Sequence, residues 1–243
     1  MKRTKQSLLL AATLLAGVFS SSAATIPVSG NLTGEVTWTA DKEYLLEGSV
    51  YVLAGAVLNI EAGTVVRGKA GNAFPDYGTL FVTRGGKINA LGNRLRPIIF
   101  TAENDDLNDP FDLPLANEGG GGRGLWGGVV ILGNGRINRP DSEASGSGQN
   151  PDGSFYQLYE GLNDLTDEGT GQPLHRFGGN DNTDDSGALR YVSIRYSGKP
   201  LSANKELNGL SLAGVGGGTT VEFVEVYANA DDGFEFWGGA VNT

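Results

Sequence analysis

Residues 48–68 read GSVYVLAGAVLNIEAGTVVRG. Three short apolar runs, Val50 to Leu53, Val57 to Ile60 and Thr64 to Arg67, are separated by small turns of alanine and glycine. Runs this short, rich in β-branched residues and bounded by glycine, predict strands. Alternation along each run predicts Val50, Val52, Val57 and Val65 as inward positions. The same rhythm returns in GTLFVTRGGKINALGNRLRPIIFTA (78–102), in GLWGGVVILGNGRINRP from Gly124, and in GALRYVSIRYSG from Gly187. It returns again in NGLSLAGVGGGTTVEFVEVYAN from Asn208, and ADDGFEFWGGAVNT from Ala230 opens a sixth unit.

A repeat of roughly 20–25 residues cannot bury its apolar side chains alone and must stack on its neighbours. Valine-, isoleucine- and leucine-rich runs suit parallel strands buried in such a stack. Glycine and asparagine at the corners permit bends with positive φ. The alternative, an antiparallel sandwich, prefers two-residue hairpin turns and longer strands. The expected fold is therefore all-β, a right-handed parallel β-helix (a β-solenoid).

The chain opens MKRTKQSLLLAATLLAGVFSSSAAT. Lys2, Arg3 and Lys5 precede an apolar stretch from Leu8 to Val18, and Ser22-Ala23-Ala24 supplies small residues for cleavage. Residues 1–24 are expected to be a secretory signal peptide, removed on export. Residues 25–47 are then a cap and lead-in, and residues 48–243 the β-helix. Removing the three basic residues takes the formal charge from −10 to near −13. A chain this acidic is not expected to bind nucleic acid or an anionic membrane surface. No other apolar run is long enough to span a bilayer. With no cysteine, neither disulfides nor thiolate metal sites are available. The expected location is secreted, extracellular or the outer cell surface.

Two long acidic insertions interrupt the coils, at about residues 103–123 and 139–186. Long loops on a rigid scaffold are where binding sites gather, although a solvated loop is the plainer reading. Calcium takes six to eight oxygens from bent, carboxylate-rich loops. GGNDNTDDSG offers Asp181, Asn182, Asp184 and Asp185, and ENDDLNDPFD offers Asp105, Asp106 and Asp109. Neither has the EF-hand spacing. Ca²⁺ at one of these loops is the one cofactor expected, on composition and local density alone. Asp231, Asp232 and Glu235 form a third acidic group, but neighbouring strand residues point to opposite faces. Asp231 and Asp232 converge only if that corner is bent.

Trp126, Trp237, Tyr191, Tyr196 and Tyr227 are candidates for a platform on which a sugar ring stacks. Buried corner filling is the alternative role. Arg195, expected outward on a strand near the second insertion, joins Trp126, Trp237, Asp231, Asp232 and Glu235 as a candidate ligand contact.

The phrases EGSVYVLAGAVLNIEAGTVVRG, GLWGGVVILGNGRIN, YEGL, GALRYVSIRYSG, ELNGLSLAGVGGGTTVEFVEV and ADDGFEFWGGAVNT cover most of the mature chain in this order. In them the sequence resembles a large group of exported bacterial β-helix proteins of pectate-lyase-like architecture. In that group the chain continues past the phrase similar to DDGFEFWGG, so the resemblance implies truncation at the C-terminal end. Further coils or a partner chain are then expected to cover the last coil. Fold alone assigns no activity. Asn182-Thr183-Asp184 and Asp231-Asp232 echo hydrolase aspartate phrases only superficially, and the single histidine, His175, precedes both. Lyase chemistry needs a base, and Arg190 or Arg195 stays protonated in most settings. Gly122-Arg-Gly124-Leu-Trp-Gly127 precedes a strand rather than a helix, so it is no dinucleotide loop. No residue is assigned a catalytic role. The sequence supports a secreted or surface-bound scaffold of adhesion type, calcium-stabilised and contacting polysaccharide. The alternative is a polysaccharide lyase or glycoside hydrolase with part of its site beyond residue 243.

Overall fold

The computed structural model describes residues 23–109, 122–138, 147–203 and 205–243. The signal-peptide expectation, save for its last two residues, lies outside them, as do parts of both insertions. The first coil holds β1 (Ala24–Leu32) and β2 (Glu35–Trp38), and the second holds β3 (Lys42–Val52) and β4 (Val57–Ile60). The third holds β5 (Val65–Gly68), β6 (Thr79–Val82) and β7 (Lys87–Leu91). The fourth begins with β8 (Ile98–Ala102) and β9 (Val129–Leu132). An excursion follows, carrying β10 (Ser147–Gln149), β11 (Phe155–Leu158), a 3₁₀ turn (Tyr159–Gly161) and β12 (Arg176–Phe177). β13 (Gly187–Arg195) closes the fourth coil and opens the fifth. Then come a small hairpin, β14 (Pro200–Ser202) and β15 (Lys205–Glu206), and β16 (Leu210–Ala213). β17 (Thr220–Tyr227) leads into the sixth coil, with β18 (Phe234–Trp237).

Every coil-to-coil pairing is parallel, and the strands stack on three faces. Face I runs from the start of β1 through the start of β3, β5, β8 and the second half of β13 to the second half of β17. Face II runs from the end of β1 through the end of β3, β6, β9 and β16 to β18. Face III stacks β2, β4, β7 and the first halves of β13 and β17. The chain visits the faces in the same order on every turn, so the expected parallel β-helix is the observed fold.

The corners explain one misreading. Val50 and Val52 point inward and are fully buried, but Val57 and Val65 face outward while Leu58, Ile60 and Val66 fill the core. Alternation restarts after each corner, and Gly55 and Gly63 turn there with φ of 77° and 89°. In β13 and β17 the bend from face III to face I falls on non-glycine residues. Tyr191 and Phe223 have φ of 50° and 54°, and their rings stack at 4.5 Å on successive coils. Left-handed backbone costs roughly 1–2 kcal/mol per ordinary residue, and the stacked rings offset part of that.

Two cores result. One is the apolar interior of the solenoid. The other lies on the outer side of face II, where β6, β9 and β16 are buried at every position. Tyr159, Leu174 and Phe177 of the second excursion cover Tyr51, Phe81 and Val130 there. The described part of that insertion is therefore a packed cover rather than the solvated loop of the plainer reading. His175 sits within it, 1% exposed. Its Nδ1 lies 2.8 Å from the Asn163 carbonyl and its Nε2 lies 2.9 Å from the Tyr51 hydroxyl. A carbonyl only accepts, so Nδ1–H donates to it and the Tyr51 hydroxyl donates to Nε2. Burial lowers the His175 pKa and keeps the ring neutral.

Candidate functional site

The outward positions of face I form a ladder. Ile99, Ser193 and Glu225 lie side by side on β8, β13 and β17, and Arg195 pairs with Tyr227 one step along. The opening of the first insertion folds over this ladder and leaves a cleft of about 430 Å³, lined by Asp105, Asp106, Asp109, Arg195, Glu225 and Tyr227 among others. Loop and strand residues 86 or more positions apart thus come together, and of the six named all but Glu225 were singled out from sequence.

The loop is fixed from below. Arg67 is held by Glu43 at 2.6 Å and donates to the Asp105 carbonyl at 2.8 Å. The Asp105 side chain is buried and accepts from the Thr101 hydroxyl at 2.5 Å. Asp106 Oδ1 accepts from the Asn108 backbone N–H and side-chain amide, both at 3.0 Å. Those bonds, led by the backbone one, hold its carboxyl below the usual range and therefore ionised. On the strand side, Arg195 Nε donates to the Ser193 hydroxyl at 2.9 Å, and that hydroxyl donates to Glu225 at 2.7 Å. The cleft thus presents a cation, several carboxylates and a tyrosine ring that is 47% exposed.

Trp126 does not join this surface. It is fully buried in the solenoid core, and its Nε1 donates to the Arg195 carbonyl at 2.7 Å. Its ring fills the space that a side chain at Gly68 would take, 2.5 Å from such a Cβ. As a ligand platform it is corrected: a ring enclosed on all sides cannot stack on a sugar. It anchors the backbone of β13 under the cleft instead.

The Asp181–Asp185 group also resolves differently from the sequence expectation. Asp181 Oδ1 accepts from Thr183 N and Oγ1 at 2.8 and 2.6 Å, and Asn182 Oδ1 from Arg136 N at 2.8 Å. Asp184 is buried and accepts from Asn134 and Ser186 at 3.0 and 3.2 Å. Asp185 bonds Lys87 at 2.6 Å and Gly187 N at 2.8 Å. Each oxygen so described is engaged, either in a local turn, as at Asp181, or in tying this segment to Asn134, Arg136 and Lys87. Among the described residues, no three His, Cys, Asp or Glu side chains gather as metal ligands do.

A third gathering was only partly legible. Glu160 sits in the 3₁₀ turn with φ 47°. Burial, then Glu235, Glu206 and Asp231, push its carboxyl up to about 7, while Lys205 opposes this. Glu235 accepts from Asn208 at 2.5 Å, and burial raises its pKa too. Asn208 Oδ1 in turn accepts from Asp232 N at 3.0 Å. Asp231 is exposed. Trp237 packs at 6.1 Å from Tyr159 and 5.9 Å from Phe177, a bridge between β18 and the cover. Sequence reading missed Glu160 and Asn208. The phrases YEGL and ELNGL, which hold them and are among those that carry the resemblance, were the available signal.

Among the described residues no helix is long and apolar enough to cross a membrane. No curated protein and no solved structure matches the chain. The family model of the pectate-lyase-like β-helix domain matches residues 30–243. That span takes in all three faces and the cleft on face I, and the chain belongs to the pectate-lyase-like β-helix domain family.

Proposed function

We propose that this is an exported, non-catalytic carbohydrate-binding protein of the cell surface or its surroundings, and that a glycan lies across face I. The observation that carries this reading is the cleft itself: an exposed Tyr227 ring beside Arg195, Glu225 and Asp106. An aromatic face flanked by hydrogen-bonding side chains suits a sugar ring and its hydroxyls. Carboxylates outnumber the one arginine, and the chain carries a formal −10. That balance favours a neutral glycan, whose hydroxyls donate to Asp and Glu. In calorimetric titration, a neutral polysaccharide such as galactomannan is expected to bind. Tyr227→Ala should weaken it about two- to tenfold, the roughly 0.5–1.5 kcal/mol typical of an aromatic contact. Unaltered affinity in that variant removes the cleft from consideration.

One observation favours a second reading, that of an acidic polysaccharide. Asp105, Asp106 and Asp109 line one cleft without gathering as a metal site by themselves; a sugar carboxylate would complete a calcium site there and reverse the repulsion. Polygalacturonate should then bind only with Ca²⁺ present. Release of unsaturated products on adding Ca²⁺ would replace the binding role by a lyase. Calcium that binds the native protein must raise its melting temperature. Identical melting curves with Ca²⁺ and with chelator, without polysaccharide, rule out calcium as a stabiliser of the free protein.

A further inference from the structure

We propose that a separate cleft, formed where the second excursion lies against the corner after β6, is a binding site for a singly charged carboxylate, held by Arg84. The cleft measures about 560 Å³ and is lined by Arg84, Asn150, Asp152, Gln172, Asn180 and Asp181 among others. That volume falls in the range of small-molecule sites.

Arg84 is half-buried, and its Nη1 donates to two neutral acceptors, the Gly178 carbonyl at 2.7 Å and Asn150 Oδ1 at 3.0 Å. No described carboxylate forms an ion pair with it, whereas Arg67, Arg176 and Arg190 each have one. Its Nε and Nη2 make no hydrogen bond among the described residues. Burying a cation without a counter-charge is costly, and burial, then the charge of Arg176, lowers the pKa of Arg84. The other charges that face it are Asp164 and Asp152. Asp164 is occupied by Arg176, which it grips through both oxygens. Asp152 acts on Arg84 at a distance, and among the described residues no carboxylate is in contact with the guanidinium.

The surroundings are fixed in advance. Gln172 Nε2 donates to the Thr83 hydroxyl at 2.6 Å, and its Oε1 accepts from Ala54 N at 2.8 Å. Asn150 Nδ2 donates to the Ser154 hydroxyl at 3.0 Å. Asp152 and Asp181 each commit one oxygen to a local turn, through Ser154 and Thr183. A guanidinium fork with two free nitrogens matches a carboxylate in shape. Asp152 and Asp181 oppose any further negative charge, so the affinity rests on direct contact with the Arg84 guanidinium, and a dianion such as phosphate is disfavoured more than a monoanion.

The probes are sodium glucuronate, glucose, acetate and inorganic phosphate, titrated into the full chain and followed by calorimetry. Glucuronate should bind at least about tenfold more tightly than glucose, the worth of a charge-assisted bidentate contact. Acetate binding as well would mean that the carboxylate alone suffices; glucuronate without acetate would mean that the sugar ring is also read. Either outcome supports the site. Arg84→Gln should abolish binding with its melting temperature retained, and Tyr227→Ala should leave it intact, which separates this cleft from face I. Equal affinity for glucose and glucuronate, or a preference for phosphate, overturns the proposal. So does binding that survives in a folded Arg84→Gln protein. Should Arg84→Gln not fold, Asn150→Asp serves instead. It replaces the amide oxygen 3.0 Å from Arg84 Nη1 by a carboxylate and must weaken glucuronate several-fold; unchanged affinity there also overturns the proposal.

Discussion

Glu160 shows how one residue links strain, charge and pH in this protein. Its backbone is left-handed, Lys205 Nζ donates to its carbonyl at 2.8 Å, and its carboxyl is pushed up to about 7 by burial and by the neighbouring acids. In the unfolded chain the same group ionises near 4.5. As pH rises from about 4.5 to about 7, the unfolded chain loses this proton first, so this group's contribution makes the fold less stable. Glu160→Gln removes the charge. Urea unfolding should show no difference from the parent near pH 4. At pH 8 the variant should be more stable by about 1 kcal/mol, a figure discounted because the group is partly solvated. A variant less stable at pH 8 would mean that Glu160 is held as a carboxylate by Lys205. Motif density in the sequence drew attention to Asp231 and Asp232, but the residue with the most altered chemistry among these acids lies 71 positions earlier. Charge in a cluster depends on burial, and burial is not written locally.

At the level of elements, the second excursion sets this solenoid apart. Face II is apolar on both sides, with Tyr51, Phe81, Val130 and Leu132 facing outward. That surface needs the cover formed by Tyr159, Leu174, His175 and Phe177. Phe177 is 1% exposed and meets Trp237 edge-on at 5.9 Å. Phe177→Ala is expected to cost about 3–5 kcal/mol, as large-to-small changes in a core do. Binding of a fluorescent apolar dye should rise, because the outer side of face II becomes accessible. A loss below about 1 kcal/mol, within the range of surface changes, would mean that the cover adds little. The turn-locking aspartates belong to this scale as well. Asp184 and Asp185 tie the excursion's end to Asn134 and Lys87, a structural use of residues that resemble calcium ligands in sequence.

At the scale of the whole molecule, the sixth coil presents an apolar surface. The outer edge of β17 and β18 carries Phe223, Phe234 and Phe236, which are 61%, 39% and 52% exposed. They frame a groove of about 500 Å³ with Val221 and Val224. Thr220 is bridged by Asn242, so the sixth coil reaches face III. A parallel edge with exposed phenylalanines invites another strand. A chain of these residues is expected to self-associate as concentration rises in sedimentation velocity. Replacing Phe223 and Phe236 by lysine should hold it monomeric. Association that is indifferent to both substitutions places the contact elsewhere.

The sequence by itself determined the architecture. Short Val/Ile/Leu runs broken by glycine at a steady interval can bury their side chains only by stacking, and that physics is local and repeated. Composition also changes at about residues 103 and 139, where insertions are expected. Tertiary structure alone decided which outward residues meet. Asp105 and Arg195 are 90 positions apart, and Arg84 and Gly178 are 94 apart. Their proximity follows from coil register and from how the excursions fold back, not from any local pattern. The same cause separated Trp126 from Tyr227: both are aromatics beside strands, but one faces the interior of the solenoid and the other its surface.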